Sequence, residues 1–296
     1  MKLGIIGGTG LGEFDGLTGM HEENPVTPYG KPSSPLKTGQ CGGCEIVFLA
    51  RHGAGHTILP HEINYKANIA AMKMAGVTHI VSIAAVGSLR KKHHPRDIVL
   101  PDQFFDRSKQ PPESQTFFGN GIAGHIAFAE PVCPELVRMV GDELEKAIAA
   151  SDDPARRVFR SGTYVNMAGP AFSTRAESVF YRQMGFSVIG MTNLNEAKLA
   201  REAEICYCTA AFVTDYDAWS QSESAVDLNT ILGHLSANTS LAKALIPRLA
   251  ERMSDLQRKC GCSGALAGTI VTAQDKITDE LRRKNALIFG KYLETK

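Results

Sequence analysis

Residues 3–12 (Leu-Gly-Ile-Ile-Gly-Gly-Thr-Gly-Leu-Gly) are an apolar run that stops in a glycine-rich turn. Such a run predicts a buried strand, and the glycines after it predict a tight turn whose backbone N–H groups are open to a ligand. Thr9 adds a hydroxyl at the tip, so the turn can hold an anion. A ligand-free strand-to-loop turn would use the same residues, and the rest of the chain decides between the two readings.

Behind that first strand, apolar segments alternate with helical patterns. Strands are expected at residues 44–49, 77–83, 158–167, 186–190 and 205–213, and another opens at Asp97 before the polar, aromatic loop Asp-Gln-Phe-Phe-Asp-Arg. Helices are expected at residues 63–74, stopped by Gly76, and at 134–150, where Leu136, Val137, Val140, Leu144 and Ile148 share a face. Further helices run up to Gly185, follow Asn193, extend from Asp227 to about Arg258 with a kink at Pro247, and cover residues 275–289. Residues 13–38 read as loop and short strands, and 108–124 as a surface excursion. Alternation from end to end predicts one α/β domain over residues 1–262, with 263–296 a helical extension packed on it.

Composition removes several function classes. A net charge of +1 offers no basic surface for nucleic acid or anionic membrane. No apolar run nears the roughly 18 residues that span a bilayer, and the first residues enter a core strand, so a cytoplasmic location is expected. Seven cysteines, an odd count in a long chain, argue against a secreted disulfide framework. Cys41-Gly-Gly-Cys44 reads as a hairpin turn, and His52, His56 and His61 match no zinc signature, so no metal is expected.

Ligands of open α/β sheets collect at strand ends. Here those ends carry Thr9, the pair Arg51-His52, and the small residues Ala84 and Ala85. Further along they carry Phe172 and Ser173 after a Gly-Pro corner, then Met191 and Thr192, then Asp215 and Asp217 beside the single Trp219. Arg51 offers a planar fork of donors suited to phosphate. Two carboxyls spaced by two along a strand point to one side, and burial would let one keep its proton near neutrality. A helix cap or surface turn is the plainer use of the same aspartates, as a core plug is of Phe172.

Taken in order, Gly-Ile-Ile-Gly-Gly-Thr-Gly-Leu, Leu-Ala-Arg-His-Gly, Asn-Tyr-Lys-Ala-Asn-Ile, Phe-Ser-Thr-Arg-Ala-Glu-Ser and Thr-Asp-Tyr-Asp-Ala-Trp closely resemble the 5′-methylthioadenosine branch of the trimeric purine nucleoside phosphorylase family. The likeness covers roughly residues 3–235. It implies a central mixed sheet flanked by helices, no cofactor, and inorganic phosphate as co-substrate. By matching positions, Thr9, Arg51, His52, the Ala85 backbone and Thr192 would hold phosphate. Met191 would lie under the ribose and Phe172 beside the adenine, while Asp215 and Asp217 would act on N7 and the 6-amino group. Relatives acting on 6-oxopurines, the alternative reading, carry Glu at the position of Ser173 and Asn at that of Asp215. Leu228 and Leu232 match the methylthio pocket, and His125 matches a residue lent by a neighbouring subunit, which implies a trimer or a dimer of trimers.

The likeness has departures. Ala84 stands for a phosphate-binding Thr, a departure that bears on phosphate affinity; Ala168 and Ala171 stand for a Glu and an Arg, and Asn195 for a Pro, which implies a looser 5′ preference. Cys133 and Cys206 match positions paired in some thermophilic archaeal relatives, whose C-terminal C-x-C resembles Cys260-Gly-Cys262. A charged content of 21 % is low for a hyperthermophile.

Overall fold

The computed structural model describes residues 1–296 except 13, 15, 221–227, 255 and 294–296. Strands β1 (Lys2–Gly7), β2 (Thr18–Glu23), β3 (Leu36–Cys41) and β4 (Cys44–Ala50) precede helix α1 (Tyr65–Met74). Strands β5 (His79–Ser88), β6 (Ile98–Val99) and β7 (Gln103–Arg107) lead to α2 (Pro134–Ala149). Then follow β8 (Val158–Phe159), β9 (Thr163–Met167), α3 (Arg175–Gln183), β10 (Val188–Gly190), α4 (Asn193–Glu202) and β11 (Cys206–Tyr216). Helices α5 (Leu228–Ser254) and α6 (Asp279–Phe289) close the chain.

Strand β5 organises the sheet. Its first half pairs with β1 in parallel through Leu3–Ile6, and its last two residues pair with β10 in antiparallel fashion. Along its other edge it carries β11 in parallel, with a register shift between Val213 and Asp215. One arm therefore runs β5-β1-β4-β3-β2, another β5-β10-β9-β7, and a third β5-β11-β6-β8. The sheet is mixed, as the resemblance implies, because β1, β4, β5 and β11 run in parallel while β3 opposes β4 and β10 opposes β5. A strand shared in this way is buried on both faces, and the continuous apolar reading of His-Ile-Val-Ser-Ile-Ala-Ala-Val fits that.

The elements depart from the expected boundaries in ways that the pairing explains. β5 does not break at Ala84 but continues to Ser88, because both β11 and β10 pair with its small-residue end. The expected single strand at 158–167 is two, since β8 joins β6 while β9 joins β7 and β10. The stretch after Asp102, expected as loop, is the exposed edge strand β7 in register with β9. Helix α5 passes through Pro247 and ends at Ser254, short of Arg258. Helix α6 starts four residues later than expected because Thr278 caps it, its hydroxyl accepting from the Leu281 N–H, with Asp279 and Glu280 in the first turn.

Cys41 and Cys44 face each other across the β3–β4 hairpin, whose turn residues Gly42 and Gly43 both take positive φ. Helices α1, α2, α4 and α5 pack on the sheet and on one another. Leu266, Ile277, Ile288, Phe289 and Leu293 belong to the same buried cluster as β1, β4 and α2. Among the described residues no helix is long and apolar enough to cross a membrane.

Candidate active site

A cavity of about 830 Å³ opens where β1, β4, β5, β10 and β11 end and α5 passes over them. It brings together Arg51, His52, Ala85, Phe172, Met191, Thr192, Asp215 and Asp217, with Gly8 and Gly10 of the glycine turn. Tyr164, Ile189, Leu235, Asn238 and Thr239 also line it. The side chains of Thr9 and Leu228 lie outside the described residues. Among the described residues Ser173, His125 and Leu232 do not line it. The Ser173 hydroxyl instead donates to Met167 Sδ at 3.8 Å, Leu232 is exposed, and exposed His125 is tied through its N–H to the Thr269 carbonyl.

Strand β5 is the ruler of this cavity. Arg51 meets it at the Ile83 carbonyl, while Asp215 and Asp217 both flank Gly87. Four residues of extended chain separate those points by about 13 Å. A side chain at Gly87 would come within 3.4 Å of Asp215 Oδ1 and of Asp217 Cβ, so glycine leaves room for both carboxyls there. The same economy holds at Gly190, where an added Cβ would overlap the Tyr164 hydroxyl.

At the first end, Arg51 is buried and fixed. Its Nε donates to Glu196 Oε1 at 2.5 Å, its Nη2 to Ser82 Oγ at 2.6 Å and its Nη1 to the Ile83 carbonyl at 3.2 Å. Ser82 and Tyr207 donate to the other oxygen of Glu196, at 2.6 and 2.9 Å. Asn193 completes the knot, donating to Ser82 and accepting from Tyr164 and Thr192. The sequence suggested a fork of donors open to an anion, whereas most of that fork is engaged inside the protein. Arg51 thus presents a positioned, paired charge at the cavity wall.

His52 gives its Nδ1–H to the Ile58 carbonyl at 2.8 Å and stacks on His56 with ring centroids 4.2 Å apart. Burial, and then the charge of Arg51, hold its pKa below the ordinary value. The neutral ring therefore keeps Nε2 as an acceptor. Thr192 is buried and stands at the N-cap of α4, where the helix dipole favours negative charge.

At the far end the strand geometry stops short of Asp217, which leaves β11 after Tyr216 and gives its backbone N–H to the Ser88 carbonyl. Both aspartates line the cavity nonetheless. Thr214 Oγ1 donates to Asp215 Oδ2 at 2.6 Å, and Asp217 Oδ2 is buried with no hydrogen-bond partner among the described residues. Burial pushes both carboxyls above the usual range. For Asp215 the Thr214 hydroxyl works against that rise and the charge of Asp217 adds to it. Trp219 locks the loop, its ring N–H donating to the Ser88 carbonyl at 2.7 Å and its backbone N–H to Ser178 Oγ at 3.0 Å. Phe172 is no core plug: it is 82 % exposed at the cavity mouth.

The structure therefore has an anion-suited end, a pair of buried carboxyls with raised pKa values further along β5, and an aromatic ring at the rim. A family model described as the phosphorylase superfamily matches residues 2–251. The chain belongs to that superfamily. The S-methyl-5′-thioadenosine phosphorylase of Geobacter sulfurreducens is 47 % identical, with 98 % of this chain and 99 % of that one covered. That of Koribacter versatilis is 46 % identical, with coverages of 98 % and 96 %. A methylthioadenosine phosphorylase structure from an antarctic soil metagenomic library superposes with a TM-score of 0.91 at 40 % identity, covering 97 % of this chain and 98 % of that one. A variant adenosine/methylthioadenosine phosphorylase of Schistosoma mansoni, in complex with methylthioadenosine, gives 0.79 at 29 % identity, with 98 % of each chain covered. The family resemblance read from the motifs is thereby borne out.

Sequence reasoning missed Glu196, Ser82, Asn193 and Tyr207, which hold Arg51 and Thr192 in place. One signal was available: Asn193 and Glu196 sit among buried positions of a helix whose other faces carry Lys198 and Arg201.

Proposed function

We infer that this chain splits 5′-methylthioadenosine with inorganic phosphate, giving adenine and 5-methylthioribose 1-phosphate, a pentosyl transfer that serves purine and methionine salvage. The observation that carries the reading is the separation along β5 of an anion-suited end from two carboxyls whose burial favours the protonated form. A phosphate at one end and a purine at the other leave the ribose C1′ between them.

The glycosidic C1′–N9 bond breaks with its electron pair going to the purine, and a phosphate oxygen forms the new bond to C1′. Phosphate brings the nucleophile, so no side chain has to form a covalent intermediate. Thr9, the backbone at Gly8, Gly10 and Ala85, and Thr192 are the phosphate ligands in this reading, with Arg51 as the fixed charge behind them. Neutral His52 accepts a hydrogen bond from a protonated phosphate oxygen through Nε2. Asp215 hands its proton to N7 as the base departs, and Asp217 accepts from the 6-amino group. Its unpartnered Oδ2 supports that role, because a 6-amino group donates where a 6-oxo group cannot. Phe172 covers the base, Met191 underlies the ribose, and Ser173 stands where 6-oxopurine relatives carry Glu.

The 5′-methylthio group meets the apolar face that α5 turns to the cavity, where Leu235 lines it; Leu228 and Leu232 are assigned to that pocket by the resemblance alone. His125 completes the site of a neighbouring copy in a trimer or dimer of trimers, in the cytoplasm and without cofactor or metal in the chemistry. Comparing kcat/KM for methylthioadenosine and methylthioinosine tests the reading. The adenine nucleoside is expected to win, and Asp215→Asn to cost it about a hundredfold or more. Preference for the hypoxanthine nucleoside would assign the chain to the 6-oxopurine branch.

A further inference from the structure

Far apart in sequence, Cys133, Cys206, Cys260 and Cys262 bring four Sγ atoms within 4.8 Å of one another. Cys133 is the N-cap of α2, Cys206 opens β11, and Cys260 and Cys262 bracket Gly261 in the chain leaving α5. Three are buried and Cys260 is half-buried. The two scaffold positions are tied to each other, since the Cys133 N–H donates to the carbonyl of Tyr207, next to Cys206. From the side-chain positions we propose that this cluster is a structural zinc site of the four-cysteine type.

A zinc ion bound tetrahedrally at about 2.3 Å from each sulfur sets the sulfurs about 3.8 Å apart. The cluster needs only small side-chain shifts to reach that spacing, starting from 3.3 Å between Cys206 and Cys260 and at most 4.8 Å elsewhere. Binding releases four thiol protons and leaves a net charge of about −2 on the centre. Cations stand ready for that charge. Arg258 lies beside Cys206 and Cys260, and its buried Nε–H has no hydrogen-bond partner among the described residues. Arg201 acts on Cys262 from the end of α4. The expectation of no metal considered Cys41, Cys44 and the histidines; the fold assembles a different set.

The site has a mechanical consequence. Residues that follow Cys262 support the loop bearing His125: Thr269 accepts from the His125 N–H, Thr272 Oγ1 from the Ala123 N–H at 2.7 Å, and Val271 donates to the Ala123 carbonyl. Zinc would pin that tail to α2 and β11 at its root.

Intact protein, expressed with zinc in the medium and purified under reducing conditions, should carry about one zinc per chain by elemental analysis. After denaturation all four thiols should be alkylated. Cobalt substitution should give the intense visible bands of a tetrahedral thiolate centre. Cys262→Ser should lower zinc affinity at least tenfold, whereas Cys41→Ser, in the β3–β4 hairpin, should keep the metal. Since Cys262→Ser could prevent folding, the cobalt spectrum and zinc content of unsubstituted protein decide independently. Metal-free protein with four free thiols, or with those sulfurs joined as two disulfides, would overturn the proposal; phosphorolysis is assayed separately and bears on neither outcome.

Discussion

Asp215 and Asp217 have raised pKa values for the same first reason, burial, but they act on one another unequally. The charge of Asp217 is one of the influences that lift Asp215, opposed by the Thr214 hydroxyl and by His234. Removing that charge lets Asp215 ionise at lower pH. For a reaction that needs Asp215 protonated, kcat/KM falls as pH rises through its pKa, so Asp217→Asn should move the alkaline limb of the profile to lower pH. A limb that stays in place or moves upward would show that Asp217 does not hold the proton on Asp215. At this scale the sequence singled out both aspartates that line the cavity, but not their geometry. A strand read straight through Asp217 predicted a shared face, whereas a bulge before Asp215 and the end of β11 after Tyr216 set the two aspartates on either side of Gly87. Arg51 was legible as a charge at a strand end, and its engagement with Glu196 was not, because the partners lie 145 residues apart.

The elements that carry the site were mostly readable from apolar period and stop signals, while their pairing was not. No local pattern in Ala-Ala-Val-Gly-Ser says that β10 and β11 extend the strand, so β5 was read as ending early. The excursion at residues 108–124 shows how tertiary contacts fix a segment that looks like free loop. Buried Glu202 of α4 accepts from Thr116 Oγ1 at 2.6 Å and from the Phe117 N–H at 2.5 Å. Burial raises its pKa from 4.5 to about 7, against those two hydrogen bonds. Between these values the folded protein keeps a proton that the unfolded chain has lost. Its stability therefore drops as pH rises through that window, and the full cost is present above about pH 7. Glu202→Gln cannot ionise. Relative to the parent it should gain stability between pH 5 and pH 8, by up to about 3 kcal/mol, in urea unfolding at the two pH values. An equal difference at both would show that Glu202 is already ionised throughout.

Over the whole molecule, three sheet arms share one strand, and β1, β4, β10 and β11 end with it at the cavity. The order of motifs along the chain was enough to place it in its family. The buried polar knot beneath the cavity and the four-thiol cluster were out of reach, because their members are single residues separated by dozens of positions that only the fold brings together. The proposed oligomer is tested at this scale too: if the site draws on His125 of another copy, activity should fall on dilution into monomers, and activity unchanged by dilution to monomers would contradict it. The central claim concerns which oxygen attacks the sugar. The direct measurement is adenine release from methylthioadenosine with saturating phosphate and with phosphate rigorously removed. Without phosphate the rate is expected to fall below about one per cent, and with it 5-methylthioribose 1-phosphate should match adenine mole for mole. Adenine release that persists without phosphate, leaving free 5-methylthioribose, would mean that water is the nucleophile and would contradict this account.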